Sequence, residues 1–367
     1  MRRALSTICF LSAAACGAAS TERAAQDRSF ARLLADLSEP GGYFDTDNLI
    51  SNEASYLHVM GDLDARHLRG GAYIGVGPDQ NFSYIARLRP RVAVIVDIRR
   101  DNMLEHLLFK ALFALTDTRR GYLELLLGLP PDSAPEPLDE PVDSLLARLS
   151  ARSVTDSSVG AIRHAVDSVV LTFGVPLSGD DRRTIDRFHR TFITEGLTLR
   201  FRSHGRGPMA HYPTLGDLIA ERDLDGNQAN YLASDGAFAV VDDLQARDGI
   251  LPVTGDFAGP HTLRAVGRYL GSLGLEVTAF YTSNVEFYLV RGGTFDAFVE
   301  NVATLPRAPR SMIIRSVFRG PFGRGHPRAK PGYASVQLVQ DLELMLDRYR
   351  EGRLESYWDL VTDGVVP

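Results

Sequence analysis

Two glycines and an aspartate are spaced so that they could hold a nucleoside. Gly75 and Gly77 stand in the segment YIGVGPDQN, and Asp97 ends the apolar run VAVIVD, 20 residues after Gly77. In a nucleoside-binding unit such glycines let the backbone approach the ligand, and the acid that ends the next strand binds the ribose hydroxyls. The spacing predicts a small nucleoside-type ligand at this turn, and a tight strand–helix corner without a ligand is the alternative.

The place of a third glycine in this turn is taken by Gln80. A strict G-x-G-x-x-G turn has glycine there because the helix must pack closely beside a bound pyrophosphate. A ligand without a pyrophosphate has no such requirement. The substitution therefore favours S-adenosylmethionine over NAD or FAD, and a nicotinamide-dependent oxidoreductase is the weaker alternative.

Other chemistries find little support in the sequence. It contains no Gly-x-Ser-x-Gly elbow, no His-Glu-x-x-His or paired Cys/His spacing for zinc, and no phosphate loop with the Lys-Ser/Thr pair. No metal is predicted. The formal net charge of -6 gives no basic footprint for nucleic acid, so none is expected as a partner.

The elements around the turn predict the fold. Buried strands are predicted at 72–76 and 92–96, because their apolar runs are continuous rather than alternating, as in parallel sheets covered on both faces. Further strands are predicted at 250–259, 275–285 and 310–318. Helices are predicted between them, together with one through the apolar positions of 54–63 and a closing helix over 335–352. The pattern indicates a doubly wound, mostly parallel α/β sheet, with residues 101–215 as a helical insertion and lid between strands 2 and 3.

At this point the sequence resembles the class I S-adenosylmethionine-dependent methyltransferases, through residues 71–102 and 249–318. The run IGVGPDQN is similar to the first motif of that superfamily, which implies that Gly75, Gly77 and Asn81 bind the cofactor. The resemblance gives Asp97 the role of ribose-binding acid. It implies a Rossmann-like fold and S-adenosylmethionine as the cofactor.

Two further segments carry the same resemblance. VTGDF, with Asp256 and Phe257, looks like the loop that holds the adenine, and YTSNVEFY, with Ser283 and Asn284, falls where the superfamily has its substrate-facing loop. All lie at the carboxyl ends of predicted strands, where open α/β sheets bind ligands. Glu53, at the start of a predicted helix, is a candidate partner of the methionine amine.

The longest resemblance is to a poorly characterised bacterial family of methyltransferase-fold proteins that includes leptospiral lipoproteins. It covers most of the chain after residue 20 and implies little about the reaction. Tyr281 and Glu286 are the candidate catalytic acid–base groups because of their positions alone. Methyl transfer to an unknown acceptor is therefore expected, and a non-catalytic exported lipoprotein that uses the fold as a binding scaffold is the alternative.

Residues 1–20 resemble a secretory signal, with the basic start MRR, a short apolar run and then Cys16. SAAAC is similar to a lipobox, which predicts lipidation of Cys16 and attachment to a membrane surface, with residues 21–367 as a single domain. Export fits the absence of cysteine after Cys16. S-adenosylmethionine is made in the cytosol, however, so a cytoplasmic location is the alternative that suits an enzyme.

Overall fold

The structure, a computed structural model, describes residues 29–46, 48–203, 209, 212–318 and 325–363. Six strands form one sheet: β1 (Ala72–Gly75), β2 (Val92–Asp97), β3 (Ile250–Thr254), β4 (Val277–Ser283), β5 (Arg307–Phe318) and β6 (Ser335–Asp341).

Fifteen helices are found within the described residues. They are α1 (Phe30–Leu37), α2 (Met60–Ala65), α3 (Gln80–Leu88), α4 (Arg100–Ala114), α5 (Arg119–Leu126), α6 (Val142–Ser150), α7 (Asp156–Thr172), α8 (Gly179–Glu195), α9 (Leu215–Ala220), α10 (Asp235–Ala246), α11 (Thr262–Ser272), α12 (Val285–Gly292), α13 (Phe295–Ala303), α14 (Leu342–Arg350) and α15 (Tyr357–Thr362). A short 3₁₀ turn, Gly196–Thr198, follows α8.

The strands lie in the order β3-β2-β1-β4-β5-β6. The first five are mutually parallel, and β6 runs antiparallel to β5 at the edge. The chain moves outward to β3 on one side and then crosses back to β4, so the order reverses beside β1. In such sheets the crevice at the reversal point, beyond the carboxyl ends of the strands, is where ligands bind.

The predicted α/β architecture with a mostly parallel sheet is confirmed. β1 and β2 carry the continuous apolar runs that indicated strands buried on both faces, and all of their residues except Val92 are buried. The helices α4 to α10 lie between β2 and β3 in the sequence. Of these, α4 packs against β3 and also contacts α7 and α8, so it joins the insertion to the sheet.

The prediction of a single closing helix over 335–352 is wrong in its first half. Residues 335–341 form β6, which pairs along its whole length with β5. Val336, Val339 and Leu342 have helical spacing, and this pattern continues into the true helix α14. Pairing with an otherwise open sheet edge overrides that local pattern.

The helix predicted through 54–63 is shorter and begins later, at Met60. The residues before it form turns because their side chains are held by distant partners. The hydroxyls of Ser55 and Ser335 lie 2.8 Å apart, and the hydroxyl of Tyr56 donates to the carbonyl of Leu218 at 2.9 Å.

No helix in the described ranges has both the length and the apolar character to cross a membrane. The predicted signal segment and the predicted lipidation of Cys16 lie outside the described residues.

Candidate functional site

A cavity of about 580 Å³ opens at the carboxyl ends of the central strands. Gly77, Asp97, Asp256 and Ser283, which end or follow β1, β2, β3 and β4, all line it. Seven of the nine residues predicted to bind a cofactor face this space: Glu53, Gly77, Asp97, Asp256, Phe257, Ser283 and Asn284. The sheet brings together residues that are up to 231 positions apart in the sequence, counted from Glu53 to Asn284.

Gly75 and Asn81 do not line the cavity but shape the turn that does. The Asn81 amide nitrogen donates to the carbonyls of Val76 at 2.9 Å and Pro78 at 2.7 Å, and Tyr73 donates to its amide oxygen at 2.8 Å. A Cβ atom on Gly75 would overlap Asn81, which leaves glycine the only residue that fits. Both residues thus stabilise the conformation of the turn without lining the cavity.

His106, on α4, is a support of the turn that sequence reasoning did not identify. Its Nε2 lies 2.9 Å from the carbonyl oxygen of Gly77, so this nitrogen carries the proton and donates. The ring is buried, and its burial lowers the pKa of His106 to about 4. A neutral imidazole therefore fixes the position of Gly77, whose φ of +83° requires the left-handed region.

Asp97 is paired with Arg99 two residues later. The Arg99 backbone N–H and Nε donate to Oδ1 at 2.9 Å and 3.0 Å, and Nη2 donates to Oδ2 at 2.8 Å. Because a carboxylate has about four acceptor positions, one position on Oδ2 remains for a ligand hydroxyl. Arg99 also lines the cavity, and its role was not predicted.

Glu53 lies on the cavity wall at the centre of a buried network. Its Oε2 accepts hydrogen bonds from the hydroxyl of Tyr281 at 2.6 Å, from Nε2 of Gln337 at 2.6 Å and from the hydroxyl of Ser316, while Ser283 donates to Oε1. Glu53 is 1% exposed. All of these donors are neutral, so hydrogen bonds hold the carboxylate in place without a cation.

Glu53 differs in this respect from the other buried acids nearby. Asp97 has Arg99, and Glu286 forms a two-pronged ion pair with Arg315, with N–O distances of 2.7 Å and 3.0 Å. Within the described part of the chain, no arginine or lysine forms an ion pair with Glu53. A buried carboxylate without a cation is costly unless a ligand supplies one.

The two candidate catalytic residues do not line the cavity. Tyr281 is fully buried, and burial together with the charge of Glu53 holds its pKa well above its usual value, so the phenol stays protonated. Glu286 is 1% exposed and its carboxylate is occupied by Arg315. Tyr281 reaches the cavity only through its hydrogen bond to Glu53.

Asp256 and Phe257, which follow β3, form one wall of the cavity. The Asp256 carboxylate accepts from the backbone N–H of Ala258 at 2.9 Å, and the Phe257 ring packs edge-on against Phe280 with centroids 5.0 Å apart. Both residues line the cavity and are held by neighbouring structure. A ligand there would meet Phe257, which is 3% exposed, and the remaining acceptor positions of Asp256.

The mouth of the cavity is aromatic, which the sequence analysis did not predict. Tyr43, Phe44 and Tyr288 line it, and the rings of Phe44 and Tyr288 meet edge to face with centroids 4.8 Å apart. The chain reaches this position because Gly42 lies against Ile98 and donates its N–H to the Ile98 carbonyl at 2.8 Å. The Pro-Gly-Gly cluster before Tyr43 is the signal that could have marked such a crossing.

Fold and site together define an α/β protein with a six-stranded, mostly parallel sheet and a cavity at the strand ends. The chain belongs to the family described as Domain of unknown function (DUF7790), whose model matches residues 49–128 and 212–357. The matched parts contain the sheet and most of the cavity wall, and the unmatched residues 129–211 contain α6 to α8. No curated protein matches the chain.

Proposed function

We propose that the cavity binds S-adenosylmethionine and that the protein transfers its methyl group to an acceptor. The observation that carries this proposal is Glu53, a buried carboxylate on the cavity wall whose hydrogen-bond donors, among the residues that the structure describes, are all neutral. A ligand that brings an ammonium group there removes the cost of the unpaired charge. S-adenosylmethionine carries both an ammonium and a sulfonium.

The charge of the cavity supports a cationic ligand over a dinucleotide. Among its described lining residues, Asp45, Glu53, Asp97 and Asp256 are acidic and Arg99 alone is basic. A pyrophosphate would bring two negative charges into this acidic space. The side chain of Gln80 also lies beside the turn, because a Cβ atom on Gly77 would be 3.1 Å from Gln80 Nε2. The Gln80 side chain therefore fills space beside Gly77 that a bound pyrophosphate would need.

In the proposed pose, each part of S-adenosylmethionine contacts a different group of cavity residues. The adenine lies against Phe257 with Asp256 as an acceptor, and a ribose hydroxyl donates to the remaining position on Asp97. The chain passes Gly77, whose lack of a side chain allows close approach. The methionine ammonium then meets Glu53 beside Ser283.

Methyl transfer needs little chemistry from the protein. The lone pair of the acceptor attacks the methyl carbon, the carbon–sulfur bond breaks, and its electron pair stays on sulfur as the neutral thioether. Holding the acceptor in line with that bond supplies most of the rate enhancement. Tyr281 and Glu286 have no assigned role as bases, because both side chains lie away from the cavity.

A binding scaffold without catalysis is the second candidate. The same placement of Tyr281 and Glu286 favours it, because the two groups predicted to act as acid and base do not reach the cavity. Fold alone does not decide between the two functions.

Calorimetry on the full chain tests the proposal. S-adenosylmethionine and S-adenosylhomocysteine should bind to the wild type, NADP⁺ should bind much more weakly, and Asp97→Ala should lose the heat of both adenosyl ligands. No heat at millimolar S-adenosylmethionine would contradict binding. Binding without any turnover across a panel of acceptors would leave the scaffold function.

A further inference from the structure

We infer that the methyl acceptor is an amine with an aromatic or apolar body, bound at the mouth of the cavity. This inference rests on the proposed function, and it adds the chemical class of the second substrate. The mouth is the surface formed by Tyr43, Phe44, Asp45, Thr46 and Tyr288.

Two of the three aromatic side chains of the mouth are exposed to solvent, and Phe44 is half-buried. Tyr43 is 76% exposed and Tyr288 is 41% exposed. Phe44 stands edge-on to Tyr288, so their faces diverge and leave an angular apolar surface at the opening. Aromatic faces attract organic cations through the ring quadrupole and cover apolar groups. A protonated amine on an apolar body satisfies both properties.

The acidic residues of the mouth and of the cavity also favour a protonated amine as the ligand. Asp45 stands between Phe44 and Thr46, and the hydroxyl of Tyr43 donates to its Oδ1 at 3.2 Å. Within the described part of the chain, the hydrogen-bond donors to the carboxylates of Glu53 and Asp256 are all neutral. A carboxylate or phosphate entering here would be repelled by Glu53 and Asp256, whereas an ammonium is attracted.

Thr46 supplies an independent indication of a missing donor. Its side chain is nine-tenths buried on the cavity wall, and its Oγ1 has no hydrogen-bond partner among the described residues. A buried polar atom without a partner costs free energy that a ligand N–H can recover. The backbone carbonyl of Thr46 is held at 3.3 Å by Nη1 of Arg99, so the residue has a fixed position.

Methyl transfer to an amine nitrogen requires the loss of one proton and no strong base from the protein. The ammonium loses one proton to water, and the nitrogen lone pair then forms the new bond to the methyl carbon. The carbon–sulfur bond breaks with its electron pair on sulfur. The product leaves as a methylated ammonium, so no protein side chain has to act as a strong base.

Binding of matched small probes to the full chain tests the inference. Phenethylamine and 3-phenylpropanoate share their ring and chain but carry opposite charges at pH 7. We expect phenethylamine to bind in the presence of saturating S-adenosylhomocysteine, and 3-phenylpropanoate to bind at least tenfold more weakly. Phe44→Ala and Tyr288→Ala should each weaken phenethylamine binding about tenfold, the order of a cation–π contact together with lost apolar area.

Trp358→Ala is the matched control, because Trp358 is an exposed aromatic residue (46%) that does not line the cavity. It should leave phenethylamine binding unchanged. Equal or tighter binding of 3-phenylpropanoate, or phenethylamine binding that is insensitive to both mouth variants, would overturn the inference. Bound S-adenosylhomocysteine without phenethylamine binding would overturn it while the proposed function stands. If the protein binds phenethylamine but binds neither S-adenosylmethionine nor S-adenosylhomocysteine, the proposed function is contradicted instead.

Discussion

The hydroxyl of Tyr281 donates a 2.6 Å hydrogen bond to Oε2 of Glu53 in the interior of the protein. This contact joins β4 to the turns that precede α2, and Ser316 on β5 and Gln337 on β6 donate to the same oxygen. Three neighbouring strands therefore orient one carboxylate towards the cavity. The neutral donors on these strands hold a negative charge in position for a ligand.

Glu53→Gln should leave the free energy of unfolding within about 1 kcal/mol of the wild type. The substitution removes a buried charge that has no cationic partner among the residues described by the structure, and serine and tyrosine hydroxyls can reorient towards an amide. Urea unfolding at pH 7 measures the difference. A loss of several kcal/mol would show that the carboxylate is structural and that its charge is already balanced inside the protein.

Glu286→Gln should behave in the opposite way. It leaves the guanidinium of Arg315, which is 1% exposed, buried without its partner, and we expect a loss of about 3 to 5 kcal/mol in the same experiment. The double variant Glu286→Gln with Arg315→Met should recover part of that loss because no charge remains unpaired. Equal stability of the wild type and Glu286→Gln would be incompatible with the buried pair.

Asp97→Asn should weaken binding of S-adenosylhomocysteine by roughly tenfold or more, because a hydrogen bond from a ribose hydroxyl to a charged acceptor is lost. The matched ligand is the 2′,3′-dideoxy analogue, which has no ribose hydroxyls to donate. Its affinity should change far less between the wild type and Asp97→Asn. A similar loss for both ligands would assign Asp97 to positioning Arg99 rather than to ribose binding.

The stability of the protein should depend on His106 between pH 6.5 and about 4. Burial lowers the pKa of His106 from 6.5 to about 4 in the folded state. The unfolded chain therefore binds a proton that the folded one refuses, so the contribution of His106 is complete above pH 6.5 and is lost as the pH falls towards 4. The loss is of the order of 3 kcal/mol.

The matched control is His106→Gln, which keeps an N–H donor for the carbonyl of Gly77. Comparison with the wild type is necessary because burial raises the pKa of Asp79 from 3.8 to about 6, and that contribution is lost as the pH rises through this range. Urea unfolding between pH 4 and 7 should give a shallower acid decline for His106→Gln. Parallel curves would show that the pKa of His106 is the same in the folded and the unfolded protein, which would contradict its lowering by burial.

Local patterns predicted much of the fold. The runs at β1 and β2 indicated buried parallel strands because strands buried on both faces contain continuous apolar residues. The spacing between Gly77 and Asp97 predicted that the two residues lie close together, because neighbouring parallel strands end at the same edge of the sheet. Both residues line the cavity. β6 was missed because Val336 and Val339 share a helical spacing with the helix that follows.

The contacts of the site could not be predicted in the same way. Glu53 meets Ser316 and Gln337, which are 263 and 284 residues away, so their contact depends on the pairing of β5 with β6. The arginine partners of Asp97 and Glu286 look like surface charges in the sequence. The direction of their side chains is fixed only by the folded backbone.

A thermodynamic cycle between Glu53 and the ligand amine measures whether this carboxylate binds the ammonium. The dissociation constants of S-adenosylhomocysteine and of its desamino analogue are measured by calorimetry on the wild type and on Glu53→Gln. We predict that removing the amine weakens binding to the wild type by about 10- to 100-fold but changes binding to Glu53→Gln by less than about threefold. An equal loss in both proteins would contradict the claim that Glu53 binds the ammonium.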